Sequence, residues 1–163
     1  MSSVVHDDPT TASAVPWLSD AEQRVWRDWM FGGFAVMGQI DEWMQTHYSL
    51  SVQQFHIMVM TSEGPEQGTA MNELSMAMLL PPSSLTYQVK QLERRGLIDV
   101  RKDPHDRRVR RVRMTPVGWE LLTDCAAKHV VHVREIFFSH VHDEELHSFG
   151  GVVNRIWLAN AGD

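Results

Sequence analysis

Ten of the fifteen lysine and arginine residues of this 163-residue chain lie between Thr86 and Arg113. This basic segment holds only four acidic residues, so its formal charge is near +6, whereas the whole chain is −6 and the remainder is therefore near −12. Guanidinium and ammonium groups concentrated in an otherwise acidic chain are typical of a surface that binds the phosphates of nucleic acid. The overall pI of about 5.8 conceals this segment.

A helix with one exposed polar face is predicted where the basic segment begins. Leu85, Val89 and Leu92 recur at helical spacing and predict a buried stripe on a helix over 83–95. Gly96 follows, at the position where a left-handed helix terminator belongs. The side chains that we expect to contact DNA lie at the start of this helix and on its polar face: Ser83, Ser84, Thr86, Tyr87, Lys90, Gln91 and Arg94.

The residue types on that face suggest separate roles. The two serines, at a helix N-terminus, are suited to hold a phosphate together with backbone N–H groups. Gln91 matches an adenine edge, and Lys90 matches a guanine edge or a phosphate. Thr86 or Tyr87 could contact the methyl group of thymine. The pattern therefore predicts a recognition helix for the major groove of double-stranded DNA.

Two short runs of apolar and basic residues, 97–101 and 109–114, are predicted to be strands of a β-hairpin, or wing. The charged tip between them would approach a narrow minor groove, where the potential is most negative. Asp106 is predicted to orient a wing arginine through a charge-assisted hydrogen bond. The wing residues predicted to contact DNA are Arg107, Arg108 and Arg110, with Arg107 or Arg108 entering the minor groove.

The remaining sequence predicts helices that position this DNA-binding region. A capping box at Ser19 predicts a long amphipathic helix to about His47, and a second one at Ser51 begins a shorter helix. Thr69 is predicted to cap a third helix. Two further helices are predicted from Thr115 to about His140 and from about Asp143 to Asn160. The fold class is therefore mainly α with a small β wing: a winged helix-turn-helix core flanked by long dimerisation helices.

The domain organisation predicted from these elements is simple. Residues 1–17 are rich in Ser, Thr, Pro and Asp and are predicted to be a flexible arm. Residues 18–163 are predicted to form one domain, with dimerisation helices at 18–50 and 115–163 and a DNA-binding lobe at 51–114. Terminal helices with an apolar stripe favour a twofold homodimer.

Composition also predicts the compartment. The longest apolar runs fall far short of the ~20 residues that span a bilayer, and the N-terminus lacks the pattern of a secretory signal. The single cysteine, Cys125, fits a reducing environment. We therefore expect a cytoplasmic protein with no membrane partner.

Aromatic side chains on the first two predicted helices suggest an effector site. Rings beside one histidine would suit a small planar aromatic acid. Helical spacing equally favours an ordinary core or dimer interface, and both interpretations stay open. The candidate ligand-binding residues are Trp26, Trp29, Phe55, His56 and Met58.

Cys125, His129 and His132 fall on one face of the fifth predicted helix, a spacing at which thiolate and imidazole could ligate zinc. A metal-responsive regulator is therefore an alternative hypothesis, and ordinary packing of histidines is the other interpretation. No cofactor is expected.

Enzymatic function is not expected. The sequence has no Gly-rich phosphate loop, no Gly-x-Ser-x-Gly elbow and no His-Glu-x-x-His motif. A partner-binding module without DNA function is a further alternative, which a gel shift would distinguish.

Five segments together resemble the MarR family of winged-helix transcription factors over about 50 residues: 72–75, 82–86, 89–98, 103–108 and 114–118. The resemblance implies a homodimer that binds palindromic DNA, typically as a repressor relieved by a small ligand or an oxidant. Members often carry arginine at the positions of Tyr87 and Gln91, so the DNA sequence that is bound is expected to differ. Pro81 also replaces the usual capping Ser or Thr.

Overall fold

The computed structural model describes residues 16–160. The predicted flexible arm, residues 1–17, lies outside the described residues apart from Pro16 and Trp17. Of these described residues, those up to Ala35 belong to one compact unit and those from Val36 onward belong to a second. The helices are α1 (Asp20–Tyr48), α2 (Val52–Ser62), α3 (Met71–Ala77), α4 (Pro82–Arg94), α5 (Pro116–Ile136) and α6 (Asp143–Asn160). The strands are β1 (Thr69–Ala70), β2 (Ile98–Lys102) and β3 (Arg110–Met114).

This architecture confirms the predicted fold class, which is mainly α with a small antiparallel sheet and a winged helix. The hairpin of β2 and β3 is the wing, and its register pairs Val100 with Val112 and Lys102 with Arg110. None of the helices among residues 16–160 has the length and apolar character needed to cross a membrane.

Local sequence signals explain where several helices begin. Glu22 Oε2 accepts the Ser19 backbone N–H at 2.7 Å, and Ser19 Oγ accepts the Glu22 N–H at 3.3 Å, which confirms the first capping box. Ser51 and Gln54 form the second capping box, at the start of α2. Pro82 occupies the first turn of α4, where its missing N–H costs no hydrogen bond.

The helix predicted over 83–95 is confirmed as α4, and its buried stripe is Leu85, Val89 and Leu92. Gly96, with φ of +70°, ends this helix in the left-handed conformation that favours glycine. The stripe packs in the core of the second unit together with side chains from α2, α3, the sheet and α5. Burial of each such side chain contributes roughly 2 kcal/mol to the free energy of folding. Packing of the stripe therefore holds α4 with its polar face toward solvent.

Two predictions about the elements are wrong. Thr69 does not cap a helix: it is buried in β1 and pairs with Val112 of β3, whereas Ala70 is the N-cap residue of α3. A two-residue strand is too short to show the alternation that predicts strands. The fifth helix ends at Ile136 instead of near His140, and a short 3₁₀ turn follows over Phe138–His140.

Candidate nucleic-acid interface

The exposed face of α4 carries the predicted recognition residues. Ser83, Ser84, Lys90 and Arg94 are exposed, and the Tyr87 side chain is unusually open for an aromatic residue at 61% of its surface. The other two predicted contact residues on this helix, Thr86 and Gln91, are half-buried.

One of these residues uses part of its hydrogen-bonding capacity inside the helix. Thr86 Oγ1 donates to the Pro82 carbonyl at 2.7 Å. Its hydroxyl hydrogen is therefore engaged, and its methyl group and oxygen lone pairs are what it offers to a ligand.

Arg95 ties the end of α4 to the end of α1. Its Nη1 donates to the Ser49 carbonyl at 2.5 Å, and its Nη2 donates to the Tyr48 carbonyl at 2.8 Å. Both carbonyls lie in the second compact unit, at the end of a helix where carbonyls lack helical partners. No local sequence pattern distinguishes this structural arginine from its neighbour Arg94, so its role is not predictable from the sequence.

The tip of the wing is organised by Asp106. Its Oδ1 accepts the Arg108 backbone N–H at 3.0 Å and Arg108 Nε at 3.1 Å, and its Oδ2 accepts Arg108 Nη2 at 3.2 Å. These hydrogen bonds hold the pKa of Asp106 below its usual range, and the Arg108 side chain has a larger effect than the Arg108 backbone N–H. The carboxylate thus fixes one guanidinium at the tip and leaves the neighbouring Arg107 exposed.

A second carboxylate braces the base of the tip. Asp103, whose side chain is 11% exposed, accepts Arg111 Nε at 2.5 Å and the backbone N–H groups of His105 and Asp106 at 2.7 and 3.1 Å. These hydrogen bonds, of which the one from the Arg111 side chain has the largest effect, lower the pKa of Asp103 to about 2. Arg111 Nη1 also donates to the Gly68 carbonyl at 2.9 Å, which connects the wing to the turn before β1. Sequence reasoning missed this brace because its partners lie 8 and 43 residues apart.

These pairings sort the ten basic residues by role. Three arginines of the basic segment form ion pairs with carboxylates (Arg101, Arg108 and Arg111), and Arg95 binds two carbonyls. Over the described residues the other six form no ion pair, and all six are exposed: Lys90, Arg94, Lys102, Arg107, Arg110 and Arg113. Exposed cations without carboxylate partners are available to neutralise phosphates.

The candidate effector residues fall into both compact units. Trp26 and Trp29 lie in the first unit and are 58% and 45% exposed. Phe55 and Met58 are buried in the core of the second unit, and His56 is exposed there. Within the first unit, a shallow groove of about 350 Å³ is lined by Trp26, Arg27 and apolar neighbours.

The candidate metal residues are buried or pack against aromatic side chains. Cys125 is fully buried, and burial raises the pKa of its thiol to about 11, which disfavours the thiolate form that binds metals. Trp43 stacks on His132 with ring centroids 5.2 Å apart, and Phe55 meets His129 edge-on at 5.0 Å. Between residues 16 and 160, no group of three or more His, Cys, Asp or Glu side chains is arranged to hold a metal ion.

Comparisons with known proteins agree with this geometry. The sequence model of the MarR family matches residues 48–109. The uncharacterized HTH-type transcriptional regulator YsmB of Bacillus subtilis (strain 168) is 34% identical over 77 residues, which span 47% of this chain and about half of that relative (52%).

Two solved structures share the fold over most of the chain. AbsC, a MarR family transcriptional regulator from Streptomyces coelicolor, has a TM-score of 0.84 and 26% identity, and the match covers 90% of this chain and 99% of AbsC. Sco3205, a MarR family transcriptional regulator from the same organism in complex with DNA, has a TM-score of 0.82 and 26% identity, with 86% of this chain and 88% of that chain covered. The chain is therefore similar to the MarR family of transcriptional regulators, in sequence over residues 48–109 and in fold over most of its length.

Proposed function

We propose that this protein is a cytoplasmic, sequence-specific regulator of transcription that binds double-stranded DNA as a homodimer on a palindromic operator. The observation that carries the proposal is the exposed polar face of α4 beside a wing whose Arg107 and Arg110 have no carboxylate partner among the described residues. A helix of this kind fits the major groove, and an arginine-bearing hairpin fits the adjacent minor groove. The relative Sco3205 was crystallised in complex with DNA, which supports the same use here.

Selection from a randomised pool of DNA duplexes tests this proposal. The purified chain should enrich a short sequence with twofold symmetry, and the enriched duplex should bind more tightly than a shuffled one. Specific binding in proteins of this type exceeds non-specific binding by roughly a thousandfold or more. Recovery of an unenriched pool would contradict sequence-specific binding and would favour a partner-binding module.

Exposed apolar surface supports the dimer. In the first unit Val25 is exposed, and on α6 Ile156, Trp157 and Leu158 are exposed. Apolar surface left in water costs about 25 cal/mol per Å². A twofold-symmetric interface would bury the same apolar surface on both copies and so avoid this cost.

Light scattering measures the dimer directly. The wild-type mass should be twice the 18.7 kDa of one chain, and Ile156→Glu/Trp157→Glu should shift the mass toward the monomer. Met76→Glu, which charges an exposed apolar residue of α3, should leave the dimer intact. A wild-type mass of one chain would contradict the dimer.

We propose further that the regulator is a repressor that responds to a small aromatic acid. The groove of the first unit places Trp26 beside Arg27, an aromatic ring and a cation that suit a planar carboxylate. A panel of aromatic acids, salicylate among them, should include a compound that weakens DNA binding by the wild type and fails to do so with Trp26→Ala. Indifference of the wild type to the whole panel would contradict an effector of this class.

A further inference from the structure

Three glutamine side chains form a chain of hydrogen bonds between α2 and α4. Gln54 Nε2 donates to Gln88 Oε1 at 3.1 Å, and Gln88 Nε2 donates to Gln53 Oε1 at 3.1 Å. Gln53 and Gln54 lie in the first turn of α2, and Gln88 lies midway along α4. Nothing in the sequence distinguishes these three amides from the other glutamines.

A backbone group fixes the direction of this chain. The Ser51 N–H, which can only donate, points at Gln54 Oε1 at 3.1 Å. The Gln54 amide must therefore turn its NH₂ group to Gln88, which in turn must present Oε1. By the same logic Gln88 presents its NH₂ group to Gln53 Oε1. The usual ambiguity between amide oxygen and nitrogen is thus removed at all three residues.

The chain ends on a free donor. Because Oε1 of Gln53 accepts from Gln88, its NH₂ group is what remains, and over the described part of the chain this group donates to no protein atom. The Gln53 side chain is exposed. A side chain anchored at its oxygen and open at its nitrogen is ready to donate to an acceptor.

That donor belongs to a groove at the start of α4. The groove has a volume of about 360 Å³ and is lined by Gln53, Leu80, Ser83, Ser84, Tyr87 and Gln88. The two serines add hydroxyl groups, and their backbone N–H groups lie in the first turn of α4, where no helical acceptor exists. None of these lining residues carries a charge. Because no carboxylate lines the groove, whereas its amide NH₂, hydroxyl and backbone N–H groups can all donate, the group that matches it is an acceptor.

We propose that Gln53 binds a phosphate of the DNA backbone together with Ser83 and Ser84, and that Gln88 is the residue that positions it. This inference rests on the proposed function, because it requires α4 to approach a duplex. Phosphate oxygens only accept hydrogen bonds, whereas base edges in the grooves present donors as well. A groove with these donors and no carboxylate therefore fits the backbone. The contact fixes how α4 sits in the groove and is independent of base sequence.

Substitution by methionine, which has a similar length and no donor, tests the contact. Gln53→Met should weaken binding of the selected duplex about tenfold or more, as expected when a hydrogen bond to a charged group is removed. Binding of a shuffled duplex should weaken by a similar factor, since a phosphate contact carries no sequence information. Gln45→Met, at an exposed glutamine of α1 outside the amide chain, should bind both duplexes as the wild type does.

Gln88→Met tests the positioning role. It should reproduce most of the weakening seen with Gln53→Met, and the double variant should be no weaker than Gln53→Met alone. Gln54 is left unchanged because its oxygen also caps α2. Equal melting temperatures of Gln53→Met and wild type would show that the weaker binding comes from the DNA contact.

A neutral methylphosphonate placed at single positions of the duplex identifies the phosphate. At one position in each half-site it should weaken the wild type and leave Gln53→Met unaffected. If the wild type binds the duplex and Gln53→Met binds it with the same affinity, the phosphate contact is overturned and the proposed function stands. The same holds if Gln53→Met binds more weakly but every methylphosphonate position affects it as it affects the wild type. Failure of the wild type to bind any duplex would overturn the proposed function as well.

Discussion

At the scale of single residues, the acidic side chains of the wing determine which arginines are free. Asp103 and Asp106 each pair with an arginine, but their surroundings differ. The side chains of the Asp103–Arg111 pair are 11% and 20% exposed, and those of the Asp106–Arg108 pair are 43% and 92% exposed. Solvent screens the second pair far more than the first, so the two should differ in what they contribute to stability.

We expect Asp103→Asn to lower the melting temperature by several degrees. The amide can still accept the N–H groups of His105 and Asp106, but it leaves the half-buried guanidinium of Arg111 without a carboxylate. Asp106→Asn is the matched control and should melt within about a degree of the wild type, because its pair is exposed. Thermal denaturation followed by circular dichroism compares them, and equal melting temperatures of the two variants would contradict the bracing role of Asp103.

The histidines of the second unit predict a pH dependence of stability. Partial desolvation by its neighbours lowers the pKa of His56, although this side chain is exposed. Burial of the half-buried His129, together with the positive charges of His56 and His132, lowers the pKa of His129. For a base whose pKa is depressed by folding, the unfolded chain takes up protons first as the pH falls. The contribution to stability is therefore full above about pH 6.5 and is lost as the pH decreases below it.

The melting temperature should consequently fall between pH 7.5 and pH 5.5, a window above the range in which carboxylates titrate. His129→Gln should reduce this fall, whereas His147→Gln, at an exposed position on α6, should keep it. For each variant, the melting temperature at pH 5.5 is compared with its own value at pH 7.5. Any effect of the substitution on the melting temperature that does not depend on pH therefore cancels. A wild-type melting temperature that rises or stays level over this window would refute the argument.

At the scale of elements, a close approach of α5 to the start of the wing holds the winged-helix core together. A Cβ atom at Gly118 would lie 1.9 Å from the Leu97 carbonyl oxygen, whereas one at Gly38 in α1 would have no described neighbour within 4 Å. The same Leu97 carbonyl accepts the Thr115 backbone N–H at 3.2 Å, so it has little freedom to move.

Gly118→Ala should therefore destabilise the fold by about 1–3 kcal/mol, the usual cost of overpacking. Gly38→Ala should leave stability unchanged or raise it by up to about 1 kcal/mol, since alanine favours a helix over glycine. Urea denaturation of both variants measures the free energy of unfolding. Equal effects of the two substitutions would show that α5 can move away from Leu97.

Elements with strong periodic or capping signals were predictable from the sequence. The stripe of Leu85, Val89 and Leu92 and the glycine after the helix identified α4 nearly to its ends. β1 was not predictable, because its two residues become a strand only by pairing with β3, about forty residues later in the chain. The Asp103–Arg111–Gly68 brace and the glutamine chain depend in the same way on contacts between distant segments.

At the scale of the whole molecule, a chain with a net charge of −6 carries a strongly basic segment over residues 86–113. Six exposed cations of the basic segment form no ion pair with any described residue, and the acidic excess lies elsewhere in the sequence. The acidic remainder should disfavour indiscriminate binding to nucleic acid, so that affinity depends on placing the wing and α4 correctly on a duplex.

The salt dependence of DNA affinity is the most direct test of whether the wing binds DNA. Fluorescence anisotropy should give a wild-type dissociation constant that rises steeply with salt concentration, and Arg107→Glu/Arg108→Glu should lower the slope of the log–log plot by roughly 1 for each phosphate that the wing no longer neutralises. Lys128→Glu, which reverses an exposed charge on α5 outside the basic segment, should leave the slope unchanged. A wing variant with the wild-type slope would show that the wing does not bind DNA.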